Sequence, residues 1–221
     1  PNPSVGFLVD DIDFSGIGTI ATLFDVGRVE VLRGPQGTRY GANALAGLIY
    51  MRSAEPTAEF DGRVQMQVGD DGMFAGGAAV GGGLNADDSV MGRVSVHYHE
   101  SNGFRENTYL NRDDTNGRNE TTLRGRLKWS AGDYWQFNLA GFYADVDDGY
   151  DAFAIDNSLT MLSDKPGKDA QESLGASFRA DFDGPSVYTL TSITSIADSD
   201  ILFSFDADWG NDDAWAPVLY D

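Results

Sequence analysis

His97 and His99 stand two residues apart in an alternating stretch, so both project from one strand face, a geometry that can hold a transition metal once a third ligand is near. The sequence offers no evident third ligand, and the same placement suits histidines that line a wet lumen. Two carboxylate runs, Asp145-Val-Asp147-Asp148-Gly-Tyr-Asp151 and Asp206-Ala-Asp208-Trp-Gly-Asn-Asp212-Asp213, present the oxygen atoms that calcium takes as ligands. Neither run has the EF-hand spacing or a bidentate Glu at the required offset, so solvated acidic loops are expected and no metal is assigned. Gly16-Ile-Gly18-Thr-Ile-Ala21 has the outline of a dinucleotide fingerprint, but no βαβ unit of adequate length surrounds it. There is no GxSxG elbow and no HExxH pair, and the absence of cysteine removes thiolate chemistry and disulfides together. The expectation is a protein that is not an enzyme and carries no cofactor.

Charge narrows the partners. Across 221 residues, 15 Lys and Arg face 35 Asp and Glu, a net charge of −20, and the basic residues are scattered rather than gathered into a stripe. Such a chain repels phosphate backbones, so nucleic acid is excluded as a partner. At 41% hydrophobic residues the chain is too apolar for wholesale disorder. No run approaches the roughly 18–20 consecutive apolar residues that a membrane helix needs. A transmembrane β-barrel stays possible, because its strands alternate polar and apolar residues and keep the mean hydropathy low. The chain opens at Pro1 without an initiator Met or a readable targeting segment, as a processed chain or fragment would.

The elements that must position these residues fall into two textures. Residues 1–52 mix short β-branched runs with glycine turns: Val5 to Val9, Arg28 to Leu32 and Leu48 to Met51. They predict a small mixed α/β unit, followed by a linker over 53–58 marked by Pro56. From Glu59 onward, segments of about ten residues alternate strictly between Gly/Asp/Asn/Ser clusters, the period-2 signature of antiparallel strands. Val64, Met66 and Val68 oppose Arg63, Gln65 and Gln67; Val94, Val96 and Tyr98 oppose Arg93, Ser95, His97 and His99; Leu123, Leu127 and Trp129 oppose Thr122, Arg124, Arg126 and Lys128. The same rhythm sets Trp135, Phe137, Leu139 and Tyr143 against Gln136 and Asn138, and Leu174, Phe178 and Phe182 against Ser173, Ser177, Arg179 and Asp181. With Gly72 to Leu84 and Ser186 to Ala197, the expectation is seven strands over 59–221.

Alternation also describes a soluble β-sandwich. Three features favour a barrel. Trp129, Trp135 and Tyr143 sit on the apolar face near strand ends, where aromatic girdles lie, and long basic side chains recur on the opposite face, as a wet lumen would have them. The connections also alternate in length: Asn85 to Asp88, Ser130 to Gly132 and Asp183 to Pro185 are short, whereas Ser101 to Glu120 and Asp145 to Lys168 are long, and only Gly69 to Asp71 breaks the pattern.

The densest signal runs from Arg28 to Ile49, Arg28-Val-Glu30-Val-Leu-Arg33-Gly34-Pro-Gln-Gly37-Thr-Arg39-Tyr-Gly41-Ala-Asn-Ala-Leu-Ala-Gly47-Leu-Ile49. Physically it is a strand, a tight turn, a short helix-capable segment, a glycine break and a second strand. Gly34, Gly37, Gly41 and Gly47 each permit a positive φ or a close backbone approach. No GxxxxGK[ST] is present, so it is not a phosphate loop.

This stretch strongly resembles the signature that closes the plug domain of TonB-dependent outer-membrane receptors, (V/I)EVLRGPQGTLYG followed by xNAxxGxIN. Val5-Gly-Phe-Leu-Val-Asp-Asp-Ile-Asp resembles the preceding plug strand, and Glu59 to Gly69 the first barrel strand. Arg39 stands where Leu is usual and Tyr50 where Asn is common, departures that bear on plug packing. The resemblance implies a mainly β receptor fragment in the outer membrane: the later part of a plug over 1–52, then about seven strands of an incomplete transmembrane barrel, in a family whose barrels have about 22 strands. It further implies energy-coupled uptake of a scarce nutrient, an iron-siderophore complex first among the candidates. The implied partners are membrane lipid, the cargo and the TonB energy-coupling protein, whose contact segment is expected to lie outside this chain, as is the rest of the barrel. By position, Arg33 and Arg28, with Glu30 and the signature glycines, are the implied plug latch. Phe104, Tyr109 and Tyr150 in the long loops are the implied ligand contacts, and no chemistry on the cargo is implied. A small self-contained outer-membrane barrel and a soluble extracellular β-sandwich with a binding role are the alternatives.

Overall fold

The structure, a computed structural model, describes residues 3–17, 22–40, 43–185 and 187–213. The amino-terminal unit is a four-stranded sheet built from β1 (Val5–Val9), β2 (Ile12–Asp13), β3 (Val26–Arg33) and β4 (Gly47–Ser53), in the order β2-β1-β4-β3. β1 runs parallel to β4 and antiparallel to β2. A strand flanked on both faces must be apolar on both, and Phe7, Leu8 and Val9 of β1 are all buried. Asp10 and Asp11 form the two-residue turn between β1 and β2 with φ of 49° and 70°. This left-handed pair suits a tight hairpin, and Asp is among the residues that tolerate it. The edge strand β3 is largely exposed.

The signature stretch folds as its glycines require. Gly34 ends β3 at φ 85°, a single helical turn α1 (Gly37–Tyr40) follows, and the chain returns as β4. A Cβ at Gly47 would lie 2.8 Å from the Leu32 carbonyl oxygen, so β4 starts against β3 only with glycine there. Nothing lies within 4 Å of a Cβ built on Gly37, so no close approach requires that glycine. The expectations for Gly41, for the Arg39 side chain and for residues 18–21 lie outside the described residues.

The second unit is one antiparallel sheet of seven strands: β5 (Asp61–Val68), β6 (Phe74–Gly83), β7 (Val90–Ser101), β9 (Arg118–Ala131), β10 (Trp135–Tyr150), β12 (Gly167–Asp183) and β13 (Thr189–Phe203). Each pairs with its sequence neighbour among these seven, giving the order β13-β12-β10-β9-β7-β6-β5. A sandwich would split such strands between two layers; here they make a single wall, open at β5 and β13. Two short strands in the long connections, β8 (Glu106–Asn107) and β11 (Thr160–Met161), pair parallel with each other.

The outer face of the wall carries Val64, Val94, Val96, Leu123, Leu127, Leu139, Leu174 and Phe178, all exposed. At its turn end an aromatic cluster links Trp129 to Phe137, Trp135 to Phe137 and Phe182, and Phe137 to Phe178, with ring centroids 4.8–5.9 Å apart. Tyr143 lies on the same face of β10, eight residues beyond Trp135. That is about 27 Å of strand, or about 20 Å along the normal at a tilt of about 40°, close to the ~25 Å apolar band of a membrane barrel.

Two expectations need correction. The wall strands extend further than the apolar pattern suggests, so the long connections are 102–117 and 151–166, and Asp145, Asp147 and Asp148 lie inside β10 rather than in a loop. The ladder from Asp145↔Glu172 to Tyr150↔Gly167 continues above the apolar band, where water favours charged side chains while the backbone still pairs. Ser53 also belongs to β4, so the connection to the wall is 54–60.

The first unit sits on the inner face of the wall. Phe7, Val9, Ile12, Phe14 and Met51 share one buried cluster with Phe142 and Ala144 of β10, and the opposite face of the small sheet packs Leu8, Leu48 and Tyr50 on Ala44.

Candidate functional site: the plug seat and the loop rim

Basic side chains on the inner face were expected to line a wet lumen, but most of them grip the small sheet instead. Arg93 of β7 is 7% exposed; its Nε and Nη2 donate to the two carboxylate oxygens of Asp25 at 2.9 and 2.6 Å, and its Nη1 donates to Asp61 at 2.9 Å. Arg124 of β9 donates to the carbonyls of Phe24 (2.8 Å) and Thr22, and Arg126 to that of Ser53 (2.8 Å). Arg93 and Arg126 face each other directly across strands β7 and β9. Like charges so placed repel, and oxygen atoms of the small sheet supply what the wall alone lacks.

Two wall glycines are sockets. A Cβ at Gly77 of β6 would lie 2.8 Å from the Phe24 ring, and one at Gly175 of β12 would lie 2.6 Å from Ile12 and 2.9 Å from Phe14. The Phe24 ring stacks on His97, centroids 5.6 Å apart, and the Phe14 ring packs on Phe142 at 5.0 Å. His97 and His99 therefore do line the inner face. His99 approaches Glu120 at 3.9 Å, and among the described residues no three His, Cys, Asp or Glu side chains converge as a metal would need.

The β1–β2 turn meets β12. Ser177 donates to the Asp10 carbonyl at 2.6 Å, Asp10 accepts from the Ser53 amide at 3.0 Å, and Arg179 stands 3.9 Å from Asp11 while forking onto Asp181. A polar cavity of about 140 Å³ opens beside this turn, lined by Asp11, Tyr50, Arg52, Arg126, Arg179 and Asp181 among others. Tyr50, where the resembled family has Asn, is buried and donates its hydroxyl to Asp11 at 2.6 Å under the Arg52 guanidinium. Burial first, and the Asp11 carboxylate second, push its pKa well above the ordinary tyrosine value. A raised folded pKa means that this stabilisation is complete below the ordinary value of about 10 and fades as pH climbs through the folded one. Tyr50→Phe removes a hydrogen bond to a charged group and is expected to cost about 1.5–3 kcal/mol. Alkaline difference spectra of the two proteins check it: Tyr50 should ionise after the other tyrosines, and simultaneous ionisation would refute the buried pairing.

Of the expected latch residues, Arg28 pairs with its neighbour Glu30 at 2.7 Å. Arg33 is exposed at the end of β3 and makes no ion pair with a described residue. Of the residues joining sheet to wall, Arg93, Arg124 and Arg179 were legible as members of polar strand faces and Asp11 as part of the resembled plug strand, whereas Asp25 carried no signal; the pairings were not legible, because the partners lie 68 to 168 positions apart.

At the rim, Asn107 is fully buried between the long connections, its Nδ2 donating to Asp151 Oδ2 (2.8 Å) and to the Ser163 carbonyl (2.9 Å). Ser163 Oγ completes the triad on Asp151 Oδ1 at 2.8 Å, and Asn211 ties in the segment after β13 by donating to the Leu162 carbonyl. Phe104 and Tyr109 are exposed on this rim, whereas Tyr150 is half-buried with its ring against Phe153 and Phe203. The three expected ligand contacts do not form one ring cluster among the described residues.

A small sheet wedged by arginine clamps and glycine sockets against a wall with an apolar exterior is the arrangement of part of a plugged β-barrel, here open at β5 and β13. Residues 2–48 match the TonB-dependent Receptor Plug Domain family. The chain is 28% identical over 139 residues to the vitamin B12 transporter BtuB of Photobacterium profundum, covering 63% of this chain and 22% of that protein. It is 29% identical over 140 residues to the pesticin receptor of Yersinia enterocolitica, covering 63% and 21%. The ferric yersiniabactin uptake receptor of Yersinia pestis superposes with a TM-score of 0.81 at 21% identity, over 93% of this chain and 33% of that one. The chain is therefore similar to TonB-dependent receptors, through the plug-domain family over residues 2–48 and through the fold it shares with solved receptors. It spans about a fifth of the length of the curated relatives it matches.

Proposed function

We propose that the protein containing this chain takes up a scarce nutrient across the outer membrane by energy coupling, and that its cargo is an iron-siderophore complex. The observation that carries the reading is the seat itself: a separate sheet held against the wall by polar groups and sockets is built to close a lumen and to be displaced. In this reading the plug ends with β4 at Ser53 and the wall begins with β5 at Asp61, with the long connections 102–117 and 151–166 outside and the short turns toward the periplasm. The TonB energy-coupling protein acts on the plug, Arg28 and Arg33 face wall carboxylates of the remaining barrel, and Phe104, Tyr109 and Tyr150 stand where arriving cargo first meets protein. The siderophore assignment is supported by relatives named as receptors for ferripyoverdine and by solved receptors for ferric yersiniabactin and alcaligin. A vitamin B12 transporter among the relatives names the main competitor.

The test is uptake by the full-length receptor in cells lacking their own siderophore and cobalamin receptors. Iron uptake from a panel of ferric siderophores, abolished when the inner-membrane proton gradient is collapsed, is the expected result. Energy-dependent cobalamin uptake without iron uptake would overturn the siderophore assignment, and no energy-dependent uptake of either would overturn the receptor reading.

A further inference from the structure

The segment 22–25 belongs to no strand of the small sheet, yet every polar group it turns to the wall is answered. Two of its carbonyls, those of Thr22 and Phe24, accept from Arg124; its ring, Phe24, fills the Gly77 notch against His97; its carboxylate, Asp25, takes both prongs of Arg93. The backbone of Asp25 is held at φ 53°, and its carbonyl accepts from the Ala54 amide at 2.9 Å, just where the chain leaves the plug for the wall. The wall side is incomplete by itself: Arg93 and Arg126 oppose each other across the ladder, and Asp61, the other carboxylate on Arg93, has a 60% exposed side chain. An exposed carboxylate is hydrated and screened, so it neutralises a buried guanidinium weakly.

We propose that Asp25 is a plug-retaining pin, with an acidic plug residue seated in a basic wall socket, which keeps the lumen shut in the resting receptor. Its polarity is the reverse of a latch made by plug arginines Arg28 and Arg33, and it sits on a different part of the plug. The pin rests on the reading of this chain as a plugged receptor and does not depend on which cargo is carried. Arg93, held from the plug side by a buried carboxylate, is the residue through which plug position reaches the first wall strand, because its third donor ends on Asp61 at the start of β5.

The experiment measures influx of a large hydrophilic antibiotic through the full-length receptor in cells without energy coupling, so that no cargo transport is needed. Receptor abundance and heat-modifiable mobility are followed as a folding control. Asp25→Ala and Arg93→Ala are each expected to raise the leak about tenfold, as loss of one member of a buried pair strands the other. Asp61→Asn is expected to stay within about twofold, since its partner keeps the bidentate contact. The exchange Asp25→Arg with Arg93→Asp should be tighter than either single variant, a rescue that a purely packing role would not give. A folded Asp25→Ala receptor with unchanged leak, or an exchange as leaky as the single variants, overturns the pin. Should Asp25→Ala be lost from the membrane, Arg93→Lys, which keeps the charge and removes the fork, becomes the deciding variant: a leak above the unmodified receptor supports the pin, and an equal one overturns it.

Discussion

Phe14→Ala is expected to loosen the plug from the wall by about 3–5 kcal/mol, the cost of emptying a fully buried aromatic site. Phe14 follows the β1–β2 hairpin, and its ring packs on Phe142 and over the bare backbone of Gly175. The surroundings cannot collapse into the space. β12 is fixed by ladders on both sides, and Ile12 already fills the other half of the notch. The loss should therefore appear in plug seating and leave the wall intact. In the full-length receptor, limited proteolysis is expected to cut between residues 10 and 25 in the variant, with the thermal transition of the barrel unchanged. A barrel transition that falls together with plug protection would show that the two units are one cooperative body. Gly175→Val should act in the same direction by overpacking, because its first side-chain atom would land 2.6 Å from Ile12.

Asn107→Ala should release the rim by about 3 kcal/mol or more. The side chain satisfies Asp151, the Ser163 carbonyl and, through its own oxygen, the Leu110 amide at 2.9 Å, and alanine leaves all three without that partner in a site closed to water. No lysine or arginine pairs with Asp151 among the described residues, so its charge rests on neutral donors, which makes each of them costly to lose. Hydrogen exchange is the measurement. Amides of Asn107 and Thr108, which pair with Arg112 and Met161, should exchange faster in the variant, and so should those of 160–164. Protection confined to one connection after the substitution would mean that β8 and β11 are not coupled through the triad. If uptake follows the proposed route, the same variant weakens cargo capture more than it slows energised transport.

Much of this molecule was legible from residue spacing. Period-2 alternation located seven wall strands and assigned their faces, since successive side chains on a pleated strand must point to opposite sides whatever the partner. Arg93, Arg124 and Arg179 were read onto the inner face for that reason, as were Trp129 and Trp135 onto the outer one. The glycines of the signature stretch marked the turn at Gly34, where a φ of 85° disfavours any side chain, and the close approach at Gly47, where the Leu32 carbonyl leaves no room for a Cβ. Strand ends were less legible: β10 continues through Asp145, Asp147 and Asp148, where hydrogen-bonded pairing persists after the apolar pattern has stopped.

The sequence by itself determined the strand rhythm, the two textures and the family likeness, all of which depend on residues near one another in the chain. Only the tertiary structure decided which charges meet. Arg93 finds Asp25 68 positions away, Arg124 finds Phe24 100 positions away and Ser177 finds Asp10 167 positions away. Alternation fixes the direction a side chain points but carries no information about what the rest of the chain places in front of it. An arginine facing water and one facing a buried carboxylate therefore read alike until the plug is seated.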